Sequence, residues 1–186
     1  YATCDEKFVD TQMQQTVRRA IIRRADWFIN NAQTMAYGFI RHPYAPINWG
    51  TGAYENFLPP VLWAWRLTGD EKYLHWVVRT CDNTLGANPL GLSWIVGLGE
   101  RTVRAPLHNS RYSHIGEVHP GAQVEGPVQS GEGYRVTEVA YPPIQTDFAN
   151  LYTYVDAHFA IAMNELVVPA QAKTMATFGL LLPDHE

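Results

Sequence analysis

The chain has 186 residues, 46% hydrophobic and 17% charged, which is enough apolar material for one sizeable core and too much for a disordered segment. A formal net charge of -4, with Arg18, Arg19, Arg23 and Arg24 as the one dense basic cluster, argues against nucleic acid as a partner. Cys4 and Cys81 are too few for a disulfide-dense scaffold or a cysteine-rich zinc site and leave one bridge or two free thiols open, and no apolar run is long enough to span a membrane.

From about Thr11 to Ala32, the residues Val17, Ala20, Ile21, Ala25, Phe28 and Ile29 recur at three- and four-residue spacing, which predicts a helix with one buried face. The four arginines then lie on its wet side. His42 to Gly52, with Pro43, Pro46, Gly50 and Gly52, reads as a loop. A second helix is expected over about Ala53 to Leu67, broken or kinked at Pro59 and Pro60, with Trp63 and Trp65 in the core. Thr68, Gly69 and Asp70 make a turn, and Asp70 caps a third helix over Glu71 to Leu85 that turns Tyr73, Leu74, Val77, Val78 and Cys81 inward, with Trp76 as a further core residue.

Past Leu85, glycines and prolines punctuate everything up to Tyr134, so residues 87–146 read as one long irregular region within a single domain. A region of that length inside a compact domain is usually functional. Val136 to Tyr141 alternates weakly, as a short strand or extended loop would. Helical spacing returns over about Asp147 to Val168, with Phe148, Leu151, Val155, Phe159, Ala162 and Leu166 on one face, and beyond Pro169 the tail is short and ambiguous. Helix, tight turn, helix, long loop, helix is the grammar of antiparallel helical hairpins in a layered bundle or toroid.

Three segments carry a family likeness. Leu67 to Arg111 contains a helix ending in a G-x-N-x-x-G loop (Gly86, Asn88, Gly91); Ile47-Asn48-Trp49-Gly50 precedes it; His119 to Pro127 reads HPGAQVEGP after it. In this order they resemble glycoside hydrolase family 9, with the likeness running roughly from Ala20 to Val167. The resemblance implies an all-α fold, part of an (α/α)6 toroid, and inverting hydrolysis of β-1,4-glucan or a related β-glycan, hence an oligo- or polysaccharide partner. It also implies an extracellular or periplasmic location, and no cofactor beyond calcium by family analogy. The resemblance implies the C-terminal part of that domain, with a large interface to the missing N-terminal half, and the start at Tyr1 in place of methionine leads to the expectation of a segment upstream.

Inversion needs one carboxylate to activate water and one carboxylic acid to protonate the leaving oxygen, about 6.5 to 9.5 Å apart. The family draws its base from an aspartate-rich motif in its N-terminal half, and no such motif occurs in this chain. Its acid, a glutamate, should fall within Ala149 to Thr153. Matching Asp156-Ala157 to the family's following N-A puts Asn150 in that place. An amide cannot deliver a proton, so direct replacement removes the acid's contribution, on the order of 10² to 10⁴-fold in rate. Asp147 and Asp156 flank the position as displaced acids, against plainer readings as a helix N-cap and a loop anchor. His108 stands where the family places a histidine-arginine pair that holds the sugar, but Asn109 follows it and the nearest arginine is Arg111.

Trp49, Tyr54 and Trp94 are candidate platforms for a pyranose face. Glu125, Glu132 and Glu138 form a second set of acids, although loop glutamates are usually just solvated. His108, His114 and His119 with Glu117 lack the spacing of a metal motif, so no metal is expected. Two function classes follow: an inverting β-glycosidase completed by an upstream segment or second chain, and a degenerate relative that binds glycan or serves in structure or assembly.

Overall fold

The computed structural model describes residues 1–45, 47, 58–108, 119–128 and 149–182. Asp10 opens the first long helix, α1 (Thr11–Ala32), by accepting a hydrogen bond from the Met13 amide at 2.7 Å. Ala25, Phe28 and Ile29 are buried as the spacing predicts, and Ala32 with them, but Val17 and Ile21 are half-buried and Ala20 is exposed. The apolar stripe therefore engages only over the second half of the helix. In the first half the inward residue is polar: Gln14 is buried because its Nε2 donates to the carbonyls of Tyr1 and Cys4, at 3.2 and 2.8 Å. Arg19, Arg23 and Arg24 lie at the surface, and the Arg24 guanidinium sits 4.3 Å from the Trp27 ring centroid.

Helix α2 (Pro59–Thr68) packs against α1. Its two prolines do not break it; they occupy the first turn, where the backbone N–H groups have no intrahelical partner to lose. The helix therefore starts where a kink was expected. Gly69, at φ 67°, ends it by donating to the Trp65 carbonyl at 2.7 Å. Trp63, expected in the core, is 46% exposed, while Trp65 and Trp76 are half-buried. Asp70 accepts from the Lys72 amide at 2.9 Å at the start of α3 (Glu71–Thr84). Tyr73, Val77 and Cys81 are buried as expected, whereas Leu74 is half-buried and Val78 is exposed. Cys4 is exposed and Cys81 buried, and the two are not joined by a disulfide.

The chain divides into two compact units, Tyr1–Pro43 with Phe57–Thr80 and Tyr44–Asn56 with Cys81–Glu186. In the first, Tyr73 donates to Asp26 Oδ1 at 2.9 Å and the Thr80 hydroxyl accepts from the Ile40 amide at 3.0 Å. Arg79 Nε donates to the Gly38 carbonyl at 2.9 Å.

In the second unit, the Asn88 side chain shapes the loop after α3. Its Nδ2 donates to the carbonyls of Asn83 and Leu92, both at 2.8 Å, and its Oδ1 accepts from the Leu90 amide at 3.1 Å. Trp94, Val96, Val103 and Val124 then form a core cluster flanked by Leu90, Leu92, Tyr154 and Leu166. Among the described residues the β features are isolated bridges, Ser93 with Thr102, Ile95 with Gln123 and Leu107 with Glu165. Val136 to Tyr141 lies outside the described residues.

The helix expected over Asp147 to Val168 is not formed across the described part of that span. A 3-10 turn, Asn150–Tyr152, leads into irregular chain and then a four-residue helix, α4 (Ile161–Asn164). Asn164 explains the break: fully buried, its Nδ2 donates to the carbonyls of Val155, Ala157 and Ala160 at 2.7, 3.1 and 3.2 Å. A side-chain amide thus supplies donors that a continuous helix would draw from its backbone. Phe159, expected inward, is 55% exposed as a result. The tail is not ambiguous in structure. It forms α5 (Val168–Leu181), with Pro169 in the first turn.

Candidate functional site

The second unit brings two of the three motif segments together around α4. The segment 104–108 is fixed at three points: both Asp156 oxygens accept from the Arg104 amide, at 2.9 and 3.2 Å, Asp156 Oδ1 accepts from the Ala105 amide at 2.8 Å, and the Leu107 amide donates to the Asn164 carbonyl at 2.8 Å. Segment 119–128 lies along residues 94–96, where the Val96 amide donates to the Ala122 carbonyl at 2.8 Å and the Val124 amide to the Trp94 carbonyl at 3.1 Å. It is also tied to α4, through the Gly126 amide and the Met163 carbonyl at 2.8 Å. Its Gln123 pairs with α5: the Gln123 amide donates to Gln171 Oε1 at 2.8 Å, Gln171 Nε2 returns a bond to the Gln123 carbonyl, and the Thr174 hydroxyl donates to Gln123 Oε1.

At the ends of these segments His108 and His119 meet edge to face, with ring centroids 4.4 Å apart. His108 is half-buried and His119 exposed, so imidazole surface remains for a ligand hydroxyl. Asn150 begins the 3-10 turn that precedes Tyr154 and Asp156. The Tyr154 hydroxyl donates to Asn164 Oδ1. Burial, and secondarily the charge of Asp156, pushes the Tyr154 phenol well above its usual range, which keeps it a neutral donor.

Two expectations are corrected. Trp94 offers no flat face to a sugar: it is 2% exposed and its ring meets Tyr154 edge-on at 4.8 Å. Its loop position suggested a rim, but the Asn88 network turns the chain back and carries the indole into the core. Glu125 is not a solvated loop glutamate; it is 2% exposed, within the buried run Gln123 to Val128. Asp156 occupies the loop-anchor role weighed for it, with both oxygens given to backbone amides. Trp49, Tyr54, Arg111, His114, Glu117, Glu132, Glu138 and Asp147 lie outside the described residues. Among the described residues, no group of three or more His, Cys, Asp or Glu is placed to hold a metal ion, and no helix is long and apolar enough to cross a membrane. Sequence reasoning missed Asn164 and Gln171, which hold the site's frame. Asn164 falls in the span read as a helix and Gln171 in the tail beyond Pro169, and only an asparagine directly after an apolar run, Ala160 to Met163, hinted at a buried amide.

Residues 2–178 match the family model for glycosyl hydrolase family 9. The chain belongs to that family. Its likeness to a xyloglucan-specific endo-beta-1,4-glucanase of Bacteroides ovatus is 26% identity over 171 residues, 90% of this chain and 28% of the relative. Among solved structures, a thermostable endoglucanase from Alicyclobacillus acidocaldarius superposes with a TM-score of 0.76 at 22% identity, over 98% of this chain and 34% of that one. The glycoside hydrolase family 9 endoglucanase J30 gives 0.78 at 23% identity, over 97% and 32%. The fold is accordingly all-α and corresponds to part of the family's (α/α)6 barrel, and the chain spans about a third of the length of these relatives.

Proposed function

We propose that this chain forms the C-terminal part of a β-glycan-hydrolysing domain, acting on β-1,4-linked glucan or a related β-glycan outside the cytoplasm. The observation that carries the reading is the family match over residues 2–178, together with the convergence of the 104–108 and 119–128 segments at the His108–His119 pair. In this reading the imidazoles bind sugar hydroxyls. The base that activates water comes from the part of the domain that this chain does not span, and the acid must be a carboxyl reaching the leaving oxygen. Of the two aspartates flanking Asn150, Asp156 is engaged with the Arg104 and Ala105 amides, which leaves two carboxyls for the acid of this reading: Asp147, and Glu165, half-buried in the Asn164-Glu165-Leu166-Val167 run that leads into α5 and bridged to Leu107 beside His108.

A second reading, glycan binding without hydrolysis, is favoured if Asn150 holds the position matched to the family's acid, together with the engagement of Asp156. The two separate on the native polypeptide, assayed for reducing-sugar release and for retention on β-glucan and xyloglucan. If it hydrolyses, whichever of Asp147→Asn and Glu165→Gln lowers kcat by about 10² or more identifies the acid. If it binds without hydrolysis and Asn150→Glu creates activity, the protein is a degenerate binder. Neither binding nor hydrolysis of any β-glycan refutes both.

A further inference from the structure

Asn164 is a junction in the frame that carries Glu165. It is fully buried, its Nδ2 donates to the carbonyls of Val155, Ala157 and Ala160, and its Oδ1 accepts from the Tyr154 hydroxyl. A carbonyl can only accept, so the three of them fix one end of the amide and the phenol fixes the other. The Asn164 backbone carbonyl accepts from the Leu107 amide at 2.8 Å, and the bridge between Leu107 and Glu165 continues that pairing. His108 and Glu165 therefore extend from one short ladder. Tyr154 is itself seated by packing: its ring meets Trp94 edge-on at 4.8 Å, against the cluster that Trp94 forms with Val96, Val103 and Val124. The position of a core indole is thus passed through one phenol and one amide to the residue before Glu165.

We propose that Tyr154 is a positioning residue for glycan hydrolysis, acting through Asn164 to aim the Glu165 carboxyl at the leaving oxygen while the Leu107 pairing holds His108 in register with it. The inference rests on the hydrolase reading in its Glu165 form. In that reaction water attacks the anomeric carbon and gives a proton to the base; the bond to the leaving oxygen breaks, its electron pair stays on that oxygen, and the acid supplies the proton that neutralises it. The acid must lie within hydrogen-bond reach of the leaving oxygen, a demand that sugar binding does not share. Without the phenol, the buried Asn164 oxygen loses this donor, and residues 164 and 165 move until another donor or a water reaches it. A displacement on the order of 1 Å slows a positioned step by about tenfold to a hundredfold.

Tyr154→Phe in the native polypeptide tests it, because it keeps the ring against Trp94 and removes only the hydroxyl. Two substrates are compared: β-glucan, whose leaving alcohol needs the acid's proton, and dinitrophenyl β-cellobioside, whose leaving group departs as a stable anion and does not. The variant should lower kcat on β-glucan by about tenfold or more, with KM and the kcat on the aryl glycoside unchanged within about twofold. The ratio of the two rates does not depend on how much of the variant is folded, so lost stability cannot mimic this result. Para-aminophenylalanine at position 154 places an N–H donor where the hydroxyl was and should restore the parent's ratio. Equal losses on both substrates, or an unchanged rate on β-glucan, overturn the inference and leave the hydrolase reading intact. Glu165→Gln tests that reading separately: it should lose the β-glucan rate and spare the aryl glycoside. If Asp147→Asn has that effect instead, or the native polypeptide hydrolyses neither substrate, the Glu165 reading fails and the inference fails with it.

Discussion

Removing the Asp156 carboxylate should release the segment that carries His108. Asp156 accepts from two backbone amides across 51 and 52 residues of sequence, through bonds of 2.8, 2.9 and 3.2 Å. Hydrogen bonds to charged groups contribute roughly 1.5–3 kcal/mol each, and because Asp156 is solvent-exposed, water replaces part of what is lost. About 1 kcal/mol per amide, or about 2 kcal/mol in all, is the resulting cost of Asp156→Ala. For a chain of this size, about 2–4 °C per kcal/mol converts that to a Tm lower by about 6 °C. Asp156→Asn keeps one acceptor oxygen and should lose about half as much. Differential scanning calorimetry measures the shift, and amide hydrogen exchange locates it: Arg104 and Ala105 should exchange at least about tenfold faster in the alanine variant while amides of α1 do not change. A Tm within 1 °C of the parent (on the order of 0.3 kcal/mol), with unchanged exchange at Arg104 and Ala105, would refute the clamp.

Trp94→Ala empties the centre of a four-residue core cluster and should cost about 3–5 kcal/mol in urea denaturation. Gly38→Ala places a Cβ 3.0 Å from the Arg79 guanidinium at φ 53°, so a loss of about 1–2 kcal/mol is expected, read as a lower urea midpoint. The raised Tyr154 phenol sets a pH dependence. Folded Tyr154 keeps its proton where the unfolded chain releases it from about pH 10 upward, so this contribution to stability is present below pH 10 and declines above it. Urea midpoints between about pH 9 and 11 should fall for the parent more steeply than for Tyr154→Phe; parallel slopes would contradict the assignment.

The hairpin α1–α2–α3 was legible because apolar periodicity and cap residues act locally: Gly69 and Asp70 do what their residue types do anywhere. The motif segments were legible as likeness, and the structure brings 104–108 and 119–128 together. The region after Ala149 was misread, because Phe159, Ala162 and Leu166 have helical spacing while the decisive interaction is Asn164 bonding three carbonyls, which depends on how the chain folds back. Trp94 failed for a related reason. Nothing in its neighbours says which way the loop turns; Asn88, bonding residues on both sides of that loop, does.

The inner face of α5 has a thermal consequence. It is held by the amide pairing of Gln171 with Gln123 and by Thr174, and it presents two threonines and an alanine where a typical helix presents leucines. Detaching such a helix exposes little apolar surface, so it carries little heat-capacity change, and its attachment should not weaken on cooling as a hydrophobic contact does. Near freezing, where the core cluster of Trp94, Val96, Val103 and Val124 loses part of its driving force, α5 should remain as firmly seated as at room temperature.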